Sequence, residues 1–270
     1  MKIHVPSNSI FFFIAVFSLI FIAGCDSNAA EDEAPEVIPS EIFTLPVDLF
    51  DQTLSKSAQP GANFTAAALR VWPVSLIITA NLVIPSLTTL QALQTEPVFQ
   101  DGAWQWDSSV TANGQTVQFN LSAVRENGGT EWSMRITSTD LQGNTVLDDF
   151  ELFTAQTSEN GDVGSWQLFY LLNDASQNVL NASYVRDSET EKSIVFSIPE
   201  TAVLGAGDSV EYEENGDERT FIWQQIAESI THTIIWNAVT LEGSITATNF
   251  NGGDEGCWDA ALNDVACTSS

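Results

Sequence analysis

From Pro97 onward, turn-forming pairs interrupt this chain at short intervals, and the runs between them alternate apolar with polar residues. Asn113-Gly114, Asn127-Gly128, Gly143-Asn144, Asn160-Gly161, Asn173-Asp174, Asn215-Gly216 and Glu242-Gly243 separate segments rich in β-branched and aromatic side chains. A period of two places successive side chains on opposite faces of a sheet, and connections this short join only antiparallel neighbours. The pattern predicts about eleven strands, near 103–111, 116–124, 131–140, 145–156, 165–172, 179–186, 192–198, 209–214, 219–226, 231–239 and 244–250. No segment of helical period is long enough to cross between parallel strands. The expected fold class is therefore mainly β, a single large antiparallel meander.

The segment before the meander reads differently. Residues 71–95 contain no charge at all. Pro73 and Pro85 are expected to divide 62–94 into short apolar helices, with Ser86 capping the last. Each piece is about 11 residues, short of the roughly 20 that a membrane span needs, so the helices are expected to pack on the sheet. A sandwich supplies its own second layer, whereas a curved sheet needs its concave face covered. Together they predict a curved half-barrel or barrel-like sheet with the N-terminal helices packed on it. Leu76, Ile77 and Val83 from the helices, with Trp132, Met134, Trp166, Trp223 and Trp236 from the strands, are the candidates to meet in the middle. They either form a large core or line an incompletely filled apolar cavity.

At the other end, Lys2 precedes an uncharged apolar run over 10–22, which closes on Ile22-Ala23-Gly24-Cys25. A positive start, a short apolar middle and small residues at a cleavage point describe a secretory signal. With Cys after the small pair, the segment resembles the lipobox of bacterial lipoproteins. That resemblance implies a signal peptide over 1–24, an acylated Cys25 as the first mature residue, and the membrane as partner through that lipid. The location it implies is the bacterial cell envelope, extracytoplasmic, periplasmic or surface-exposed. Residues 25–61, with Glu31-Asp32-Glu33 and four prolines, read as an acidic tether. Within it the apolar stretches over 42–50 can dock as a short strand or clasp. The order of lipobox, tether, apolar helices and long meander is similar to that of envelope lipoproteins and lipoprotein carriers built as an open β half-barrel. It departs from the carriers in grouping all helices before the sheet. The resemblance implies an apolar small molecule or lipid held between helices and sheet. The alternative is a structural or protein-interaction lipoprotein with a filled core.

Once the signal segment is removed, seven basic residues face 36 acidic ones, a net of −29. Such a field repels phosphate backbones, which argues against a nucleic-acid partner. With Cys25 lipidated, Cys257 and Cys267 remain as an even pair in an oxidising compartment, and a disulfide closing a C-terminal loop over 251–270 is expected. The folded part is thus read as one β-rich domain over 62–270.

Catalytic patterns are scarce. His4 leaves with the signal, and His232 is expected at the surface or a sheet edge. There is no Gly-x-Ser-x-Gly elbow and no glycine-rich phosphate loop. The acidic turns over 211–218 and 252–255 lack the ligand spacing of an EF-hand. No cofactor, no metal and no enzymatic activity are expected, and the sequence names no protein partner.

Overall fold

The computed structural model describes residues 33–35, 45, 47–53, 60–112, 115–200 and 205–267. The expected signal segment, Cys25 and most of the expected tether lie outside them.

Tight turns build the sheet. Asn127 and Gly128 both adopt positive φ, 50° and 79°, and join β3 (Gln115–Glu126) to β4 (Gly129–Thr139), whose ends pair directly. Positive φ at both central residues is what a two-residue hairpin turn requires, because its twist then matches that of the strands. Asn173 and Asp174 do the same between β6 (Val163–Leu172) and β7 (Ala175–Arg186). The remaining strands are β1 (Val98–Gln100), β2 (Ala103–Ala112), β5 (Thr145–Ser158), β8 (Glu191–Ser197), β9 (Ser209–Asn215), β10 (Glu218–Gln225), β11 (Ile230–Asn237), β12 (Gly243–Ala247), β13 (Gly256–Trp258) and β14 (Asp264–Val265). All fourteen lie in one antiparallel meander in chain order, open between β1 and β14. The eleven expected strands correspond to β2–β12, and the three additional ones are short strands at the two ends of the sheet.

Register shifts between Met134 and Arg135 and between Leu168 and Phe169 mark β-bulges, which bend a sheet and increase its twist. At Gly164 a Cβ would stand 2.6 Å from the Tyr184 ring and 2.8 Å from the Gln156 carbonyl. Only a bare backbone lets the buried Tyr184 pack there, its hydroxyl donating to the Gly161 carbonyl at 2.9 Å.

The helical segment differs from expectation. Instead of pieces broken at Pro73 and Pro85, one 31-residue helix, α2 (Ala62–Ala92), runs through both. Proline removes one N–H from the helical ladder and leaves the carbonyl four residues back without its partner. For Pro85 that carbonyl is Asn81's, and it accepts a hydrogen bond from the Tyr170 hydroxyl of β6 at 3.4 Å. For Pro73 it is that of Leu69, a residue on the exposed side of the helix. Ser86, expected to cap a new helix, instead donates back to the Leu82 carbonyl at 2.7 Å.

The start of α2 is capped from far along the chain. The Asp264 carboxylate accepts from the backbone N–H groups of Ala62 (3.0 Å) and Asn63 (2.9 Å), and the Asn63 amide donates to the Cys257 carbonyl at 2.9 Å. A carboxylate here satisfies two orphan donors and complements the positive end of the helix dipole.

Phe64, Ala67, Ala68, Val71, Val74, Ile78 and Leu82 recur at three- and four-residue spacing and form the buried stripe of α2. They join the inward residues of the sheet in a single core. Within the expected tether over 25–61, the described residues Ala34, Leu45, Val47 and Phe50 pack on the core. A short helix, α1 (Asp48–Thr53), acts as the clasp in place of a strand. Its Phe50, fully buried, stacks on Phe64 (5.4 Å) and meets Trp236 edge-on (5.1 Å). Burying one such ring contributes roughly 1.5–3 kcal/mol, which holds the clasp in the folded unit.

Candidate functional site

The sheet face that wraps α2 is where the sequence places its candidate apolar site. Trp132 on β4, Trp166 on β6 and Trp236 on β11 all point inward, as does Met134. Trp106 on β2 stacks near Trp132 at 5.8 Å, and Phe196 on β8 meets Trp166 edge-on at 6.0 Å. The Trp132 indole N–H donates to the Thr157 hydroxyl at 3.1 Å, so its one polar atom is satisfied inside the core. Trp223 on β10 is half-buried and stacks on His232 at 5.0 Å. From the helix the outcome is different. Leu76 and Ile77, expected to face the sheet, are 46% and 59% exposed on the opposite side of α2. The Val83 side chain lies outside the described residues. The structure thus brings the strand members of the expected site together and replaces the helix members with Val71, Val74, Ile78 and Leu82.

His232 corrects a second expectation. It lies on β11 in phase with Ile234 and Trp236, and only 2% of it is exposed. Its Nδ1 accepts from the Arg70 Nε–H of α2 at 2.9 Å, which fixes Nε2 as the protonated nitrogen, donating to the Gln225 side-chain oxygen at 2.8 Å. Arg70 also donates to the carbonyl of Ala66 and the side-chain oxygen of Asn249, and its guanidinium lies over the Phe250 ring. Burial, and then the adjacent Arg70 charge, hold the imidazole below its ordinary pKa. Both ring nitrogens are engaged by groups that neither attack nor relay a proton, so the histidine fastens helix to sheet.

A further inward polar cluster was not singled out from the sequence. Glu214 on β9 lies directly across from Lys192 on β8 and Arg219 on β10. Its carboxylate is 3.1 Å from Lys192 Nζ and 3.4 Å from Arg219 Nη2, and it accepts from the Tyr212 hydroxyl at 3.0 Å. Burial first, then the neighbouring Glu214 charge, push the Tyr212 hydroxyl far upward, so it stays protonated. The signal was present in the alternation itself: Lys192, Glu214 and Arg219 each fall on the inward phase of their strands. An ion pair here holds three strands in register through a buried carboxylate that loses much if unpaired.

At the C-terminal end, Cys257 and Cys267 form the expected disulfide, with Cα atoms 5.2 Å apart. Trp258 beside it is buried, donates to the Leu241 carbonyl at 2.8 Å and meets Phe64 edge-on at 5.5 Å. Clefts lined by the described residues include one of about 460 Å³ bounded chiefly by Glu131, Ser133, Glu151, Gln156, Ser165 and Gln167. Another, of about 420 Å³, lies among Asp187, Glu191, Glu213 and Asn215. Trp132, Ala155 and Trp166 also line the first of these.

Compared with known protein families, with curated proteins and with solved structures, the chain matches none.

Proposed function

We propose that this chain is a lipid-anchored, extracytoplasmic protein without catalytic activity, which serves as a structural or interaction module of the bacterial envelope through its outer surfaces. The observation that carries the reading is the closure of the expected site. Trp132 is 2% exposed, Met134 0%, Trp166 3% and Trp236 3%. Side chains covered to this degree are packed by protein atoms, which supports a core filled by helix and sheet around these four in preference to an open cavity.

Non-catalytic service is supported by His232, whose two nitrogens are committed to Arg70 and Gln225. Anchoring is supported by the sequence alone, through Ile22-Ala23-Gly24-Cys25. The rival reading, an apolar ligand between helix and sheet, requires α2 to leave its seat.

Two measurements test the proposal together. Cys25→Ser should move the protein from the membrane to the soluble fraction, and retention on the membrane would refute anchoring by lipid at that residue. Melting temperature in detergent solution should be indifferent to added monomeric fatty acids, which offer no lipid surface, because a ligand seated between helix and sheet would raise it with concentration. A saturable rise would reinstate the carrier reading.

A further inference from the structure

Among the described side chains, the outward face of α2 carries exposed apolar residues near both ends of the helix. Leu69, Trp72, Pro73, Leu76, Ile77, Leu87 and Leu90 are exposed, and their three-, four- and seven-residue spacings place them on one side of the helix, opposite the buried stripe. No charge interrupts this face, although the mature chain carries 36 acids. The 62–79 stretch is long and apolar enough to cross a membrane by length and composition. It cannot do so in this fold, because its inner stripe is committed to the sheet.

We propose that this face docks in the plane of an uncharged lipid surface, with the helix lying flat on the bilayer and the acidic sheet turned toward water. The inference rests on the lipid-anchor reading of Cys25. Only nine residue steps separate Cys25 from Ala34, which already packs on the core. Fully extended they reach at most about 30 Å. A helix of 31 residues is about 46 Å long, so the anchored unit is held against the surface by a leash shorter than the helix. A unit held this close meets the bilayer often, and the face best suited to rest on it is the one without charge. A second copy of the chain is the less fitting occupant, since each copy brings a net charge of −29 to the approach. Anionic headgroups are disfavoured for the same reason. Trp72, with its ring and its indole N–H, is of the kind that settles at a membrane–water interface.

Of the eight tryptophans only Trp72 is exposed, which makes it a native reporter. The full-length protein purified from its own membrane is reconstituted into phosphatidylcholine vesicles with or without brominated acyl chains, and the mass of the same sample gives the state of Cys25. Brominated lipid should quench part of the tryptophan emission, and Trp72→Phe should abolish that part. A double variant, Leu76→Glu with Leu87→Glu, should keep the far-UV spectrum and the vesicle association while losing the quenching. Replacing a third of the lipid with phosphatidylglycerol should reduce quenching at low salt, and added NaCl should restore it.

Acylated protein whose Trp72 is not quenched would overturn docking and leave the anchor intact. Trp72 shielded without lipid, in a sample that sediments as a dimer, would overturn it in favour of a second copy. An unmodified Cys25 would remove the anchor reading. Docking would then hold if the unanchored protein were still quenched at high lipid concentration, and fail if it were not.

Discussion

Asp264 shows how much one side chain can carry when it satisfies two backbone donors at once. Asp264→Ala removes both acceptors and a favourable charge from the start of α2, and should cost about 1–2 kcal/mol in denaturant unfolding. Asp264→Asn keeps an oxygen in place and should cost less. Equal losses would mean that the carboxylate acts by position elsewhere. His232 makes a prediction in pH. Its folded pKa is held below the unfolded value, so the unfolded chain binds the proton first. Stability from this residue is complete above the unfolded value, near 6.5, and is lost as pH falls through it. Among the described residues, Arg70 is the charged group that the structure places against the ring. In His232→Asn, whose oxygen can still accept from Arg70, the drop in melting temperature between pH 7.5 and 5.5 should be smaller than in the wild type. An unchanged drop would assign it to the carboxylates.

At the scale of elements, the interior strands were legible because period two and tight turns are local signals that this sheet leaves undisturbed. β1, β13 and β14 were not, since two or three residues carry no periodicity. The continuity of α2 was also hidden. Pro73 and Pro85 are local breakers, and what offsets Pro85 is a tyrosine hydroxyl 89 residues beyond Asn81, whose carbonyl the proline leaves unpaired in the helix. Nor could the sequence say which side of an uncharged helix faces inward, because an element apolar all round has no polar side to orient it. Leu76 and Ile77 were therefore assigned to the wrong face, while Trp132, Met134, Trp166 and Trp236, set by strict alternation, were placed correctly. His232 had the inward phase of β11 but looked like a surface residue, because its partner Arg70 lies 162 positions away. Pro73 is exposed on the outward side of α2. Interior proline costs about 3 kcal/mol against alanine, and the added freedom of the unfolded chain returns up to about 1. Pro73→Ala should thus raise stability by about 1–2 kcal/mol, and a loss would mean that the helix needs its bend there.

Across the whole molecule, the disulfide, the Asp264 cap and the Phe64–Trp258 contact form one clamp joining the C-terminus to the first turn of α2. Replacing both Cys257 and Cys267 with serine frees a loop of this length and should cost about 2–3 kcal/mol. Combined with Asp264→Ala the loss should be less than additive, because both changes release the same contact. Additive losses would separate the two. The net charge of −28 acts on the molecule as a unit. Raising salt from 0.1 to 1 M shortens the screening length from about 10 to 3 Å, so melting temperature should rise as self-repulsion is screened. A fall would place the stabilising weight on the Glu214, Lys192 and Arg219 pairs instead.

The central claim is a lipid-anchored protein whose helix fills its own sheet, and native mass spectrometry of the full-length protein extracted from its own membrane addresses both halves. The account predicts a single polypeptide beginning at Cys25, carrying covalent acyl mass on that residue and releasing nothing more on gentle activation. A lipid or other apolar molecule bound one-to-one and released on activation, or a Cys25 without acyl groups, would contradict it.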